Sequence, residues 1–381
     1  MIALGLSVVM LAVAVAVALE VFPGSRRLTR LEDVPPAEGT ALPRVSIVFG
    51  ARDEAVGIER AVRSHLAQDY PGLEVVAVDD RSTDGTPEIL ARVAAGTDRL
   101  AVIRVDTLPG GWLGKCHALQ LGAERAGGEW ILFTDADVVM EPSVVRRAIA
   151  LAAHDGLDHL TVAPYARMPG WLLQSFTAAF GLFFTMFTRP WRIPDPTSSS
   201  YAGIGAFNLV RREGYLAAGG HAAIRLSVDD DLRLGKLLKR SGLRSALALG
   251  QTLVHVDWYP NLGALVRGLE KGVFAGLDYS LLKAAAGSVG QVALFLWPLA
   301  GLLAGGWTTA VCAATCLVIG ALYVGQARAH GLPAWTVALF PVCCLLFLWI
   351  QWRSVVRTLV RGGLDWRGTF YSLRELRGGL V

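Results

Sequence analysis

Between residues 44 and 137, four short apolar runs alternate with three segments of helical spacing. RVSIVFG (44–50), LEVVAVDD (73–80), LAVIRVD (100–106) and EWILFTDAD (129–137) read as strands. They are apolar on both faces, as buried strands of a parallel sheet must be. Apolar positions recur at helical spacing over 54–68, 86–96 and roughly 114–126. The second of these opens on Thr86 and Pro87, read as N-cap and first helical residue. Strands and helices in alternation predict an α/β fold with a doubly wound, mostly parallel sheet. Ligands of such sheets bind beyond the carboxyl ends of the strands. Two of those ends are acidic, Asp79-Asp80 and Asp135-Ala136-Asp137.

The rest of the chain has a different composition. Apolar residues make up 53% of it and mean hydropathy is +0.44, above the range of an ordinary soluble enzyme. Residues 1–19 carry no charge, and Arg26, Arg27 and Arg30 follow. A run of that length spans a bilayer, and the arginines resemble a stop-transfer flank rather than a signal-peptide cleavage region. Three further apolar stretches cover 290–304, 307–325 and 335–352. After them the tail holds Arg353, Arg357, Arg361, Arg367, Arg374 and Arg377 against Asp365 and Glu375. That bias favours a cytoplasmic tail. Three full crossings after a cytoplasmic middle domain would put the tail outside, so one stretch is expected to be a half-crossing or to lie in the interface. The expected organisation is an anchor over 1–22, a linker over 23–42 and an α/β domain over 43–260. An interfacial helix over 261–285, a membrane region of two or three helices over 286–352 and a basic tail over 353–381 would follow. The net charge of +4 is read as attraction to anionic lipid, with no nucleic-acid partner. Cys312 and Cys316 lie four apart with no His or acid beside them, which indicates helix packing rather than a metal pair.

Carboxylates spaced as Asp135 and Asp137 are can share a hard cation such as Mg²⁺ or Mn²⁺, with phosphate oxygens completing its shell. The alternative is a pair of ordinary loop acids. No GxxxxGK[ST] or GxGxxG sequence is present, which disfavours ATP hydrolysis and dinucleotide binding. GGWLGK (110–115) sets Lys115 at a predicted helix start, where backbone amides and an ammonium suit phosphate or sugar hydroxyls. A solvated lysine after a glycine-rich loop is the plainer reading.

Taken together, VSIVFGARDEA, VVAVDDRSTDGT, GGWLGKCHAL, WILFTDADV and SVDDDLRLGKLLKRSGLR resemble, in order, the motifs of family 2 glycosyltransferases of GT-A fold. The resemblance spans roughly 43–285 and leans toward the membrane-bound branch acting on ceramide, hopanoid and carotenoid lipids. It implies an inverting transfer from a nucleotide-sugar donor, expected to be UDP-linked, to a lipid hydroxyl. A divalent metal at Asp135 and Asp137 is implied with it. By the same resemblance the nucleotide pocket would hold Ala51, Asp53, Glu54, Asp79, Asp80, Lys115 and Asp135. The base would be Asp231 with Asp230 beside it, since Leu234-Gly235 follows at the family's spacing.

No Q-x-x-R-W box follows the base, which disfavours a processive polysaccharide synthase. At that distance stand Arg267 and Lys271, four apart on one helix face, suited either to the donor diphosphate or to snorkelling from an interfacial helix. A non-catalytic membrane scaffold with a transferase-like fold is the third reading. Residues 171–191 are apolar nearly all round, with tryptophans at both ends, and fit an interfacial segment or a buried core helix. Localisation is expected to be multi-pass in the cell's inner membrane, with the α/β domain in the cytoplasm.

Overall fold

The computed structural model describes residues 1–379. The chain divides into two units. A sheet-bearing unit comprises residues 28–166, 190–257 and 374–379, and a helical unit comprises 1–27, 167–189 and 258–373. Residues 167–189 thus interrupt the linear span 43–260 and group with the helices.

Ten strands belong wholly or mainly to the first unit: β1 (Val45–Ala51), β2 (Leu73–Asp80), β3 (Leu100–Val105), β4 (Trp130–Phe133), β5 (Val139–Met140), β6 (His159–Ala163), β7 (Tyr165–Arg167), β8 (Asn208–Arg211), β9 (Ser245–Leu249) and β10 (Val254–Asp257). Seven of them form one sheet in the order β3-β2-β1-β4-β8-β6-β9. The pairs β1–β2, β2–β3, β1–β4 and β6–β9 are parallel, and β8 alone runs antiparallel to its neighbours. The mostly parallel α/β sheet expected from the alternation is therefore observed.

Apolar side chains on both faces explain why the strands lie in the middle of three layers. On one face Ile47, Phe49, Val75 and Leu132 pack with Ile58, Val62, Leu90 and Ile149 of three helices. On the other face Val48, Val76 and Ile131 meet Ala118, Leu119, Leu234 and Leu238 of the helices Gly114–Arg125 and Asp230–Arg240. Each fully buried Ile, Leu or Phe contributes about 1.5–3 kcal/mol, and these helices are bound chiefly through that area. Strand order turns back between β1 and β4, which opens a crevice beyond their carboxyl ends. The helix Thr86–Ala94 begins where expected, with Pro87 in its first turn. Thr86, however, does not cap its own helix. Its Oγ1 accepts the Glu54 N–H at 2.8 Å.

Among the described residues five segments, wholly or mainly in the helical unit, are long and apolar enough to cross a membrane: Ile2–Ser25, Gly170–Arg192, Leu281–Gly301, Gly306–Ala329 and Ala334–Arg361. Ile2–Ser25 and Gly306–Ala329 run side by side in the same direction. The Cys312 Sγ lies 3.2 Å from Ser7 Oγ near one end, and Phe22 lies against Gly325 near the other. Leu281–Gly301 and the helix Phe340–Arg361 run in opposite directions. Gln351 Nε2 donates to Ala284 O at 3.0 Å, and Gln291 Nε2 donates to Cys344 O at 3.3 Å. Phe183, Phe295, Phe340 and Tyr323 stack between them. A short hairpin, β11 (Gly363–Trp366) and β12 (Thr369–Ser372), follows.

Candidate active site

The loops after β1 and β2 are tied together. Asp53 has φ of +56°, a left-handed conformation that Asp tolerates better than most residues. Its Oδ1 accepts from Thr83 N at 2.7 Å, and its own N–H donates to Ser82 Oγ at 3.0 Å. Ala55 N donates to Asp84 Oδ2 at 3.0 Å. The Asp53 side chain and the Glu54 backbone therefore hold loop to loop. Ala51 ends β1, buried and in register with Asp79.

The two acids ending β2 differ in partners. Asp80 accepts from Arg81 Nε at 2.8 Å and lies 3.9 Å from Arg52. Asp79 is 1% exposed; its Oδ1 accepts from Ser82 N at 3.1 Å, while its buried Oδ2 has no partner. A buried carboxylate oxygen without a donor costs free energy until something donates to it, such as a base N–H or a ribose hydroxyl.

Lys115 joins the remaining acids. It stands in the first turn of Gly114–Arg125, with Nζ 2.8 Å from Asp135 Oδ1 and 3.2 Å from Asp230 Oδ1. Burial alone would lower its pKa. The carboxylates of Asp135, Asp230 and Asp231 outweigh that and hold it well above its ordinary value, so it stays charged. The three acids at the start of Asp230–Arg240 divide their tasks. Asp229 pairs with the buried Arg233 at 3.0 Å. Asp230, 5% exposed, faces Lys115. Asp231 is half-buried and accepts from Gly205 N and Leu232 N, each at 2.7 Å. Burial raises the pKa of both Asp230 and Asp231, with the Lys115 charge opposing it. These groups line a small cavity with Asn208 and His221.

Gly205 lies in the GIGAF segment (203–207) just before β8. A β-carbon there would fall 2.5 Å from Asp135 Oδ2, so only glycine lets the GIGAF segment approach Asp135 while its N–H reaches Asp231. His221, in the same region, is 1% exposed and bonded through Nδ1 to Tyr215 OH at 2.8 Å. It is structural. Arg267 and Lys271 belong to the helical unit, where they line a cavity of that unit.

Among the described residues no group of three His, Cys, Asp or Glu side chains could hold a metal alone. Asp135 and Asp137 still fit a divalent cation of the Mg²⁺ or Mn²⁺ kind, which takes one or two carboxylates and fills its shell with phosphate and water. Burial, then the charges of Asp135 and Glu54, push the Asp137 carboxyl up to about 7. Water contact at the exposed Asp137 screens that effect in part. Such crowding of like charge is what a cation would relieve.

Residues 46–230 match the profile of a family described as Glycosyl transferase family 2. A 4,4'-diaponeurosporenoate glycosyltransferase of Staphylococcus haemolyticus is 24% identical over 249 residues, covering 63% of this chain and 63% of that protein. A beta-monoglucosyldiacylglycerol synthase of a Nostoc species is 34% identical over 113 residues, covering 29% of this chain and 24% of that protein. The chain thus spans less than two thirds of the curated relatives it matches. Among solved structures, the mannosyltransferase PcManGT of Pyrobaculum calidifontis, in complex with GDP-Man and Mn²⁺, superposes with a TM-score of 0.53. Identity is 19%, over 94% of this chain and 98% of that one, a likeness of fold that agrees with the GT-A sheet.

Proposed function

Residues 46–230 form a glycosyl transferase family 2 domain, and from that premise we propose that the chain transfers a sugar from a nucleotide-linked donor to the hydroxyl of a membrane lipid. One observation carries the reading. Lys115 bridges Asp135, just beyond β4, to Asp230, at the start of a helix 95 residues later in the chain, so the donor end and the acid end of the crevice are one electrostatic unit. Two relatives named for a diaponeurosporenoate and a monoglucosyldiacylglycerol, with five apolar helices, support a lipid acceptor.

In this mechanism Asp79 Oδ2 accepts from the base or ribose, and UDP is the donor we favour. Asp231 takes the proton of the acceptor hydroxyl. That oxygen attacks the anomeric carbon from the face opposite the diphosphate, the bond to the diphosphate oxygen breaks, and the anomeric centre inverts. Lys115 stabilises the negative charge that grows on the leaving group. A divalent cation held by Asp135 and Asp137 would add charge neutralisation of the diphosphate. Asp231 suits the base role better than Asp230, because it is half-buried and reachable while Asp230 faces the lysine from a closed position.

Chain connectivity supports a specific topology. β6 precedes Gly170–Arg192 and β8 follows it, yet the two are paired in one sheet. The chain therefore returns to the side it left, and Gly170–Arg192 enters the membrane without crossing. The same parity applies to 258–373, because Asp257 and the segment from Arg374 onward, with Gly379 against Leu226, both belong to the sheet-bearing unit. Three apolar segments must then make an even number of crossings. Leu281–Gly301 and Gly306–Ala329 form the crossing pair. By length and composition Ala334–Arg361 could also cross, but its uncharged α-helical part, 340–352, spans only about 20 Å before Arg353 against a hydrocarbon core of roughly 30 Å. We take that segment as the half-crossing, which leaves the arginine-rich tail on the cytoplasmic side that its charge favours.

The metal assignment is tested with Asp137→Asn. Turnover of UDP-sugar with a lipid extract, followed across a Mn²⁺ titration, should fall by about a hundredfold or more. Near-normal turnover throughout the titration would remove the metal site from the mechanism.

A further inference from the structure

The helix Leu262–Gly276, the C-terminal part of Phe340–Arg361 and strand β11 line an open cavity of about 470 Å³. Its wall carries four cationic side chains, Arg267, Lys271, Arg357 and Arg361, against two carboxylates, Glu270 and Asp365. Both carboxylates already have partners. Glu270 accepts from Arg353 Nε at 2.6 Å and from Arg357, and Asp365 accepts from Arg361 at 3.0 Å. Among the described residues Arg267 and Lys271 have no carboxylate partner. Lys271 rests 5.3 Å from the centre of the Trp366 ring. Burial, then the charges of Arg367 and Arg267, hold its ammonium below the usual lysine range, with Glu270 opposing them. Surplus positive charge around an open cleft is chemistry for an anion with several oxygens.

The surroundings select among such anions. On these elements Phe370 of the hairpin is exposed, whereas Leu262, Val356, Leu359 and Val360 are exposed on helix faces turned away from the residues that line the cavity. A soluble nucleotide or free phosphate gains nothing from a site on a helix that continues into an apolar, membrane-length segment, whereas a phospholipid sets its acyl chains along that segment. The wall also lies next to the point where Phe340–Arg361 turns from apolar to arginine-rich, which is where a headgroup meets a membrane-embedded helix.

We propose that this cavity binds the phosphate of an anionic membrane lipid, with Arg267, Lys271 and Arg361 as its donors. The site goes beyond the transfer reaction and stands without it. It gives the two cations on the face of Leu262–Gly276 a ligand of their own.

The test uses the purified full chain in neutral detergent micelles and reads binding by calorimetry. Three probes are titrated: dihexanoyl phosphatidic acid, dihexanoylglycerol (which lacks the phosphate) and inorganic pyrophosphate. The phosphatidic acid should bind at least about tenfold tighter than either other probe, and its affinity should fall as salt rises. In the Lys271→Gln/Arg361→Gln double variant its affinity should drop at least about tenfold, for the loss of two charge-assisted hydrogen bonds. The wild-type comparison needs no variant, so a poorly folding double variant leaves the test intact. Equal binding of dihexanoylglycerol overturns the proposal, as does tighter binding of pyrophosphate. So does an unchanged affinity in a folded double variant.

Discussion

Asp230 and Asp231 are neighbours in sequence with different surroundings, and the difference is measurable. Removing a general base costs about 10²–10⁴ in rate while leaving donor binding largely intact. Asp231→Asn should therefore lose transfer by that factor and keep UDP affinity within about threefold. Asp230→Asn removes one of two carboxylates from Lys115 and should keep more than about a tenth of the rate, because Asp135 still holds the ammonium. Transfer and UDP affinity measured on both variants decide between them, and a reversed pattern would move the base to Asp230. Much of this was legible residue by residue. Acids at strand ends are local signals, and Asp79, Asp135 and Asp137 could be named from them, whereas Asp230 and Asp231 were singled out only by the family resemblance. Partnership was not legible. Asp79 and Asp80 look alike in sequence, yet Asp80 is taken up by Arg81 and Arg52, whereas one oxygen of Asp79 has no partner.

Among elements, the turn before β8 sets how closely the crevice closes. Gly203 and Gly235 bring the GIGAF segment against the helix Asp230–Arg240, where a β-carbon on either would come within about 2 Å of backbone oxygen, 1.8 Å for Gly203 and 2.0 Å for Gly235. Gly205 continues that approach to Asp135. Gly205→Ala should displace the Asp135 carboxylate and lower transfer by about tenfold or more, since a shift on the order of 1 Å in a reacting group is costly. Its unfolding midpoint should change little, because the strand and helix contacts remain. A Gly205→Ala variant with wild-type kinetics would show that this approach is not needed for turnover. Helix positions were read correctly from apolar spacing, but their ends carried hidden uses. Thr86 has the composition of an N-cap and instead serves the loop after β1. Hydrogen bonds between loops joined to different strands leave no periodic trace.

For the whole molecule, the decisive prediction is topological. Single cysteines placed at Ser199 and Arg374 should be labelled from the same face of the membrane as one placed at Glu88, and a cysteine at Ala304 from the opposite face. Ser199 labelled from the face of Ala304 would show that Gly170–Arg192 crosses. Arg374 labelled from that face would show that Ala334–Arg361 does. Sequence alone determined the layered α/β fold, the acidic strand ends and the presence of apolar segments, because burial, periodicity and charge act over a few neighbouring residues. It also exposed the conflict between three apolar C-terminal stretches and an arginine-rich tail. It had no means of resolving that conflict, since length and hydropathy are the same for a helix that crosses and one that returns. In the topology proposed above, the answer depends on which strands pair across the intervening helix. β6 pairs with β8 around Gly170–Arg192, and residues 374–379 group with the sheet. Such pairing joins residues far apart in the chain, and the closure of those contacts is a property of the folded state alone.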